Sequence, residues 1–430
     1  MHNRLRWLQP IVSTGLLVLV VAAVLAACSD DGEPDATRTT DGEQTADEPG
    51  TDEQSGGGAG VDDDRNDADP TDREVAAIDG ATLGRADLTV QGNRLAPGRG
   101  DLIGVEPIDV PLGGTPVWVV PLVDGDTTGR WVVEMADGET LLVGEDGSVA
   151  SAAALAADGS VMATDAVNRA AWPDAEGLFD DPLPDGRIVG DGPYRVALVE
   201  PTDRYPHGVL GDRLEAAAVE VHDTERGTST RFGPPPPTVI EGTSPLLADV
   251  DGDGVVEVLV THSNAAVGAW LALWTLDGRL VAESDPIGRG NRWRNQLAIG
   301  SVGPNGELEI VDVRTPHLGR TVEYFRVNGD RLERVATQDG FTNHTIGSRN
   351  LDLGIMIDAT GDGLLDVVLP TGDQQMLGVL RRVDDGVDVV ARLDLDGRLT
   401  TNVAAGTVDG DRLAVAVGTD AGLLRIWPAP

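Results

Sequence analysis

A strand–turn–strand unit recurs in the C-terminal half of this chain, and its period constrains the fold more than any other feature. The turn glycines Gly254, Gly306 and Gly363 are spaced 52 and 57 residues apart. In the first unit Leu246–Asp249 leads into the turn, followed by Val255–Thr261, Trp270–Leu276, a turn at Asp277-Gly278, and Arg279–Glu283. In the second, Leu297–Val302, Leu308–Val313 and Thr321–Val327 precede a turn at Asn328-Gly329 and then Arg331–Ala336. The third runs through Leu353–Ile357, Asp366–Leu369 and Met376–Val383, then a turn at Asp385-Gly386 into Val387–Leu395. The segments are β-branched and apolar, and Asp-Gly and Asn-Gly favour the primed turns of two-residue hairpins. Four antiparallel strands every fifty residues or so describe an all-β chain built as a β-propeller. The last unit, Val403–Val408, Leu413–Gly418 and Leu423–Trp427, has three strands, so the ring is expected to close with a strand from the N-terminal side, such as Leu88–Gln91 or a neighbour. Weaker strands at Val117–Pro121, Arg130–Met135, Thr140–Val143, Tyr194–Glu200, Arg213–His222 and Thr228–Phe232 add further blades, with a short helix or insertion at Ala166–Phe179. Residues 75–430 have room for seven blades, six and eight remaining open.

The first turn has unusual chemistry. Asp249, Asp251, Asp253 and Glu257 occupy positions 1, 3, 5 and 9 of one loop, with Gly254 at position 6. Calcium takes six to eight oxygen ligands at about 2.3–2.6 Å, and the four side chains plus the Val255 carbonyl could supply them. An EF-hand is excluded, because position 12 is Val260 and the flanks read as strands. The competing reading is an acidic turn that binds nothing. The spacing returns at Asp358, Thr360, Asp362 and Asp366, with the Leu364 carbonyl in place of that of Val255. Ser301–Glu309 keeps the frame with few ligands, and Gly406–Asp411 keeps only the strand–turn–strand shape.

These loops and their flanking strands, over roughly residues 245–420, resemble the FG-GAP (VCBS) repeats of integrin α-subunit-like β-propellers. The loops at 249 and 358 match well, the one at 301 poorly, and the phenylalanine-glycine and glycine-alanine-proline signatures of the repeat are not evident. The resemblance implies a propeller with structural calcium in two loops, and no ligand.

Met1–Ala27 reads as a targeting segment: Arg4 and Arg6, an apolar run over Ile11–Val24, then Leu25-Ala26-Ala27 before Cys28, the chain's one cysteine. It resembles a bacterial lipoprotein signal, which implies lipidation at Cys28; an uncleaved membrane anchor is the alternative. Either places the remainder outside the cytoplasm. Residues 28–74 are acidic and nearly free of large apolar side chains, and are expected to form a disordered tether.

With 32 basic and 72 acidic residues and a formal charge of −40, nucleic acid is excluded as a partner, since its recognition needs cationic surface. No lysine occurs. His2, His207, His222, His262, His317 and His344 show no metal-ligand spacing, and no G-x-S-x-G elbow or P-loop is present. The stretch Arg289–Asn295 sets an aromatic between arginines, making Arg292, Trp293 and Arg294 candidate ligand contacts; the alternative is that Trp293 packs between blades while the arginines pair with carboxylates. The expectation is therefore a monomeric, lipid-anchored surface module that binds a protein or carbohydrate. Its rivals are an extracytoplasmic propeller enzyme (lyase, glycosidase or quinone-dependent dehydrogenase) and an accessory lipoprotein of an envelope complex.

Overall fold

The first and second strands of the repeats are buried along nearly their whole length rather than at alternate positions. The computed structural model gives the reason: successive residues enter two different cores. The model describes residues 91–124, 127–144, 146–152, 172–408 and 410–430. The targeting segment, Cys28, the acidic stretch and all of Leu88–Gln91 but Gln91 lie outside the described residues.

Two N-terminal strands come first, β1 (Leu95–Arg99) and β2 (Ile108–Pro111). A first blade follows: β3 (Pro116–Asp124), β4 (Thr127–Met135), β5 (Thr140–Val143) and β6 (Val149–Ala152). A 3₁₀ turn at Pro173–Ala175 stands where the end of the short helix was expected. The second blade is β7 (Val189–Asp191), β8 (Tyr194–Thr202), β9 (Glu215–Asp223) and β10 (Thr228–Phe232). A two-residue strand, β11 (Val239–Ile240), links it to the third: β12 (Leu246–Ala248), β13 (Glu257–Asn264), β14 (Gly268–Thr275) and β15 (Leu280–Glu283). The fourth is β16 (Arg294–Gly300), β17 (Glu309–Arg314), β18 (Thr321–Asn328) and β19 (Arg331–Asp339). The fifth is β20 (Ile355–Asp358), β21 (Asp366–Pro370), β22 (Met376–Val383) and β23 (Gly386–Asp394). Last come β24 (Ala404–Val408), β25 (Arg412–Gly418) and β26 (Leu423–Pro428).

Within each blade the strands pair antiparallel in chain order. The sixth is completed by β2, which pairs antiparallel with β26 from Ile108 opposite Ile426 to Pro111 opposite Leu423. The ring therefore closes with an N-terminal strand, some twenty residues after Leu88–Gln91. The described residues thus form six four-stranded units, one fewer than the length suggests. First strands of neighbouring blades lie side by side, as β12 does with β7 and β16. This is a β-propeller.

Cores lie between blades. On β17, Ile310 packs with the third blade's Leu259 and Leu271, whereas Val311 and Val313 pack with the fifth blade's Val367 and Leu369. On β25, Leu413 and Val415 face the fifth blade, and Ala414 and Ala416 face the first. A strand's two faces thus fill two interfaces, as the period of two requires. Asparagines bridge the inner strands: Asn402 Nδ2 donates to Val119 O at 2.8 Å and its Oδ1 accepts from Val119 N at 3.0 Å, while Asn93 joins Leu247 O to Ile299 N. β1 is a wedge, parallel to β20 and bridging it at its ends. Pro97 is tolerated there because the ladder is interrupted between those bridges.

Closure makes a prediction. Val110 of β2 is buried against Ala404, Leu424 and Trp131. Val110→Asp places an unpaired charge in that interface and should lower unfolding free energy by about 3 kcal/mol or more, read in urea melts. Stability within 0.5 kcal/mol of the parent would mean that β2 is not the closing strand.

Candidate functional site

Because consecutive strands run antiparallel, connections between first and second strands lie at one end of the propeller, and those between second and third strands at the other. The acidic loops belong to the first end. In the loop after β12, Asp249 accepts backbone N–H groups from Gly252 (2.7 Å), Asp253 (3.1 Å) and Gly254 (2.9 Å). Gly252 and Gly254 adopt φ of +79° and +87°, which lets the chain curl round that carboxylate. Glu257, at the start of β13, accepts from Val250 N at 2.9 Å. Ligand oxygens of Asp249, Asp251 and Glu257 lie within 4.8 Å of one another. Asp253 is not in that group; its carboxylate accepts the Val255 N–H at 2.7 Å. Glu257 is buried, and burial, with the charges of Asp251, Asp253 and Asp249, pushes its carboxyl above the usual range against the Val250 hydrogen bond. Among the described residues no arginine or histidine forms an ion pair with these four carboxylates. Three carboxylates at this spacing fit a hard divalent cation, which would take oxygens from Asp249, Asp251 and Glu257.

The second loop folds alike: Asp358 accepts from Asp362 N (3.1 Å) and Gly363 N (2.8 Å), and Asp366 from Ala359 N (3.1 Å). Its ligand set, however, is already engaged. Arg381 on β22 donates Nε to Asp366 Oδ1 at 2.8 Å and Nη2 to Asp366 Oδ2 at 3.1 Å, and contacts Asp362 and Thr360 as well. Burial raises the Asp366 carboxyl and Arg381 opposes the rise. The 301–309 loop holds one buried ligand-position carboxylate, Glu309, met by Arg326 (Nη2, 2.6 Å) and by Arg382 of the next blade (Nε, 2.9 Å). None of these arginines stood out in the sequence. The available signal was distance along the chain: each lies in the third strand opposite a position-9 carboxylate, or one residue on.

The candidate contact segment is corrected by packing. Trp293 is 3% exposed and packs with Val209 and Leu210, and Arg294 is buried between Asp312 (2.7 Å) and Glu323 (3.1 Å). Of the two flanking arginines, Arg294 was drawn inward by carboxylates rather than displayed. Only Arg292 keeps partial exposure, its Nη1 donating to Asn291 O at 3.1 Å.

Near the axis a polar cavity of ≈ 40 Å³ is lined by Arg94, Arg187, Glu241, Arg294, Asn295 and Asp352. Its charged groups are ion-paired, although Arg94 Nη1, Arg294 Nε and Asn295 Nδ2 are buried without a hydrogen-bond partner. Arg187 grips Asp352 with two hydrogen bonds (3.1 and 2.9 Å), and Arg94 donates to the carbonyls of Val403 and Asp352. Burial would raise the Asp352 carboxyl, but Arg187 and Arg94 together hold it below the usual range.

At the end of the ring opposite the acidic loops, His317 Nε2 lies 2.6 Å from His344 Nδ1, and His344 Nε2 lies 2.7 Å from Ser348 O. The Ser348 carbonyl fixes the proton of His344 on Nε2, so its Nδ1 accepts from His317. Trp293 meets His344 edge-on at 5.0 Å.

No protein-family model matches this chain, and no curated protein matches it. Among solved structures it is similar to the Dos1 propeller (10% identity, TM-score 0.36, covering 76% of this chain and 96% of that one). It is likewise similar to BBS1N, solved in complex with ARL6DN (12%, 0.30, 75% and 96%), and to the N-terminal domain of Nup159 (10%, 0.34, 72% and 75%).

The histidine pair predicts an acid-side loss of stability. Burial, then the charges of His344, His207 and Arg320, lowers His317 to about 3, and burial lowers His344 to about 4 against the Ser348 carbonyl. Both lie below the unfolded value near 6.5, so between these limits the unfolded chain binds protons that the native one refuses, and stability falls as pH falls. From pH 6.5 to 4.5 each histidine should cost about 2–3 kcal/mol. The His317→Gln/His344→Gln protein should show a flatter melting temperature over that range; an unchanged slope would refute the assignment.

Proposed function

We propose that the chain is a lipid-anchored, extracytoplasmic binding module whose propeller is braced by calcium at the Asp249–Glu257 loop. The observation that carries the calcium assignment is the convergence of Asp249, Asp251 and Glu257 oxygens within 4.8 Å around a buried Glu257, with no arginine or histidine paired to them among the described residues. The resemblance to FG-GAP repeats expected a second ion at Asp358, Thr360, Asp362 and Asp366, but Arg381 engages three of those side chains, so we assign the ion to the first loop. Bound there, calcium would supply charge neutralisation only. Asp249 holds the loop's backbone N–H groups, and Glu257 ties the loop to β13.

Binding rather than catalysis is supported by the axis, where Arg187 and Arg94 are paired with Asp352, and Arg294 with Asp312 and Glu323, around a small cavity. The ligand would be met by loops presented at one end of a rigid scaffold. A protein or a carbohydrate fits that mode, and nucleic acid does not, given the charge of −40. The lipid at Cys28 would hold the module at the membrane, with residues 28–74 as its tether.

Ion binding to the native state alone adds RT ln(1 + [L]/Kd), about 2.7 kcal/mol at one hundred times Kd. The full chain should therefore melt higher in excess calcium than in chelator, and Asp251→Ala should remove most of the difference. Equal melting in both solutions would overturn the calcium assignment.

A further inference from the structure

The three acidic loops occupy equivalent places in consecutive blades, so they can be compared position by position. Carboxylates at positions 1, 3, 5 and 9 number four in the first (Asp249, Asp251, Asp253, Glu257), three in the last (Asp358, Asp362, Asp366) and one in the middle (Glu309). Guanidinium groups bonded to those carboxylates change in the opposite sense: none in the first, Arg381 in the last, Arg326 and Arg382 in the middle. The strand register makes the comparison strict. The residue across the hairpin from position 9 is Thr275 opposite Glu257. One residue beyond the pairs Ile310–Phe325 and Val367–Leu380, the same register sets Arg326 opposite Glu309 and Arg381 opposite Asp366.

The position-9 carboxylate is buried in all three, at 4%, 0% and 0% exposure. A buried carboxylate without a cation is strongly disfavoured. A planar guanidinium with five donors can span two carboxylates and a hydroxyl at once, as Arg381 does with Asp362, Asp366 and Thr360. The last loop is closed from its other side too: Gly100 N donates to Asp358 O (3.1 Å) and Leu102 N to Ala359 O (2.9 Å).

We propose that arginine has replaced the calcium ion in two of the three loops, so that the blades at 301–309 and 358–366 carry a covalently attached cation and only the loop at 249–257 takes an ion from solution. The residue facing position 9 decides which: threonine admits an ion, and arginine excludes it. This rests on the calcium reading of the first loop and narrows its stoichiometry to one among these loops.

The test is calcium stoichiometry, by titration calorimetry on the folded full chain, for the parent, Arg381→Thr and Thr275→Arg. The parent should bind one ion. Arg381→Thr should bind two, and should melt lower than the parent in chelator but recover in excess calcium. Thr275→Arg should bind none, and should melt in chelator at least as high as the parent does. Two ions on the parent, or one still on Thr275→Arg at unchanged affinity, would overturn the replacement. So would one ion on a folded Arg381→Thr. Should Arg381→Thr not fold even in calcium, the Thr275→Arg result decides alone. No ion on the parent would sink the calcium reading of the first loop, while a gain of one ion in Arg381→Thr would still uphold the replacement.

Discussion

A carboxylate buried at the start of the second strand has to be met by positive charge, and much of this propeller is arranged around that demand. Glu257, Glu309 and Asp366 sit where the acidic loops re-enter the blades, removed from water. A chain with 72 acidic and 32 basic residues has few cations to spare. Among the described residues Arg94, Arg187, Arg195, Arg294 and Arg382 are buried. Arg382 crosses from the fifth blade to Glu309 of the fourth, Arg294 joins Asp312 to Glu323, and Arg187 and Arg94 hold Asp352 near the axis. Breaking a buried pair from one side costs about 3–5 kcal/mol, because the remaining charge is stranded. The Arg382–Glu309 and Arg187–Asp352 pairs therefore tie blades together, and Arg294 ties three strands within the fourth blade.

Around that polar framework the apolar packing is regular. Each central strand contributes alternate residues to two inter-blade cores, and β2 carries the same scheme across the seam between the sixth and first blades. The seam matters because a propeller with an open blade exposes a sheet edge. Pairing the chain's two ends also makes closure depend on contacts far apart in sequence, from Ile108 to Ile426.

Much of the fold was legible in the sequence because hairpin turns punctuate it. The strands Met376–Val383, Thr140–Val143 and Thr228–Phe232 lie where the turn chemistry and β-branched residues put them, and others differ by one to three residues at their ends. What escaped was long-range. Nothing in Leu95-Ala-Pro-Gly-Arg99 alternates, so β1 could not be read as a wedge beside β20; its place is fixed by the inner strands it meets. The closing strand was sought too early in the chain, since many short N-terminal segments could pair equally well with a missing edge. The acidic loops were legible as loops because their spacing is local. Their occupancy was not, because it depends on the residue across the hairpin, 15 to 18 positions later, where Thr275, Arg326 and Arg381 differ. Likewise Arg292-Trp293-Arg294 looked like a displayed contact, and burial of Trp293 and Arg294 follows from carboxylates and apolar side chains that arrive from other segments.

The most direct measurement is anomalous diffraction from lanthanide-soaked crystals of this protein, since a lanthanide takes hard oxygen ligands as calcium does. A single strong peak among Asp249, Asp251 and Glu257, with the Arg381 guanidinium in place between Asp362 and Asp366, is the result expected. A peak at the 358–366 loop with Arg381 displaced, or no peak at the 249–257 loop, would contradict it.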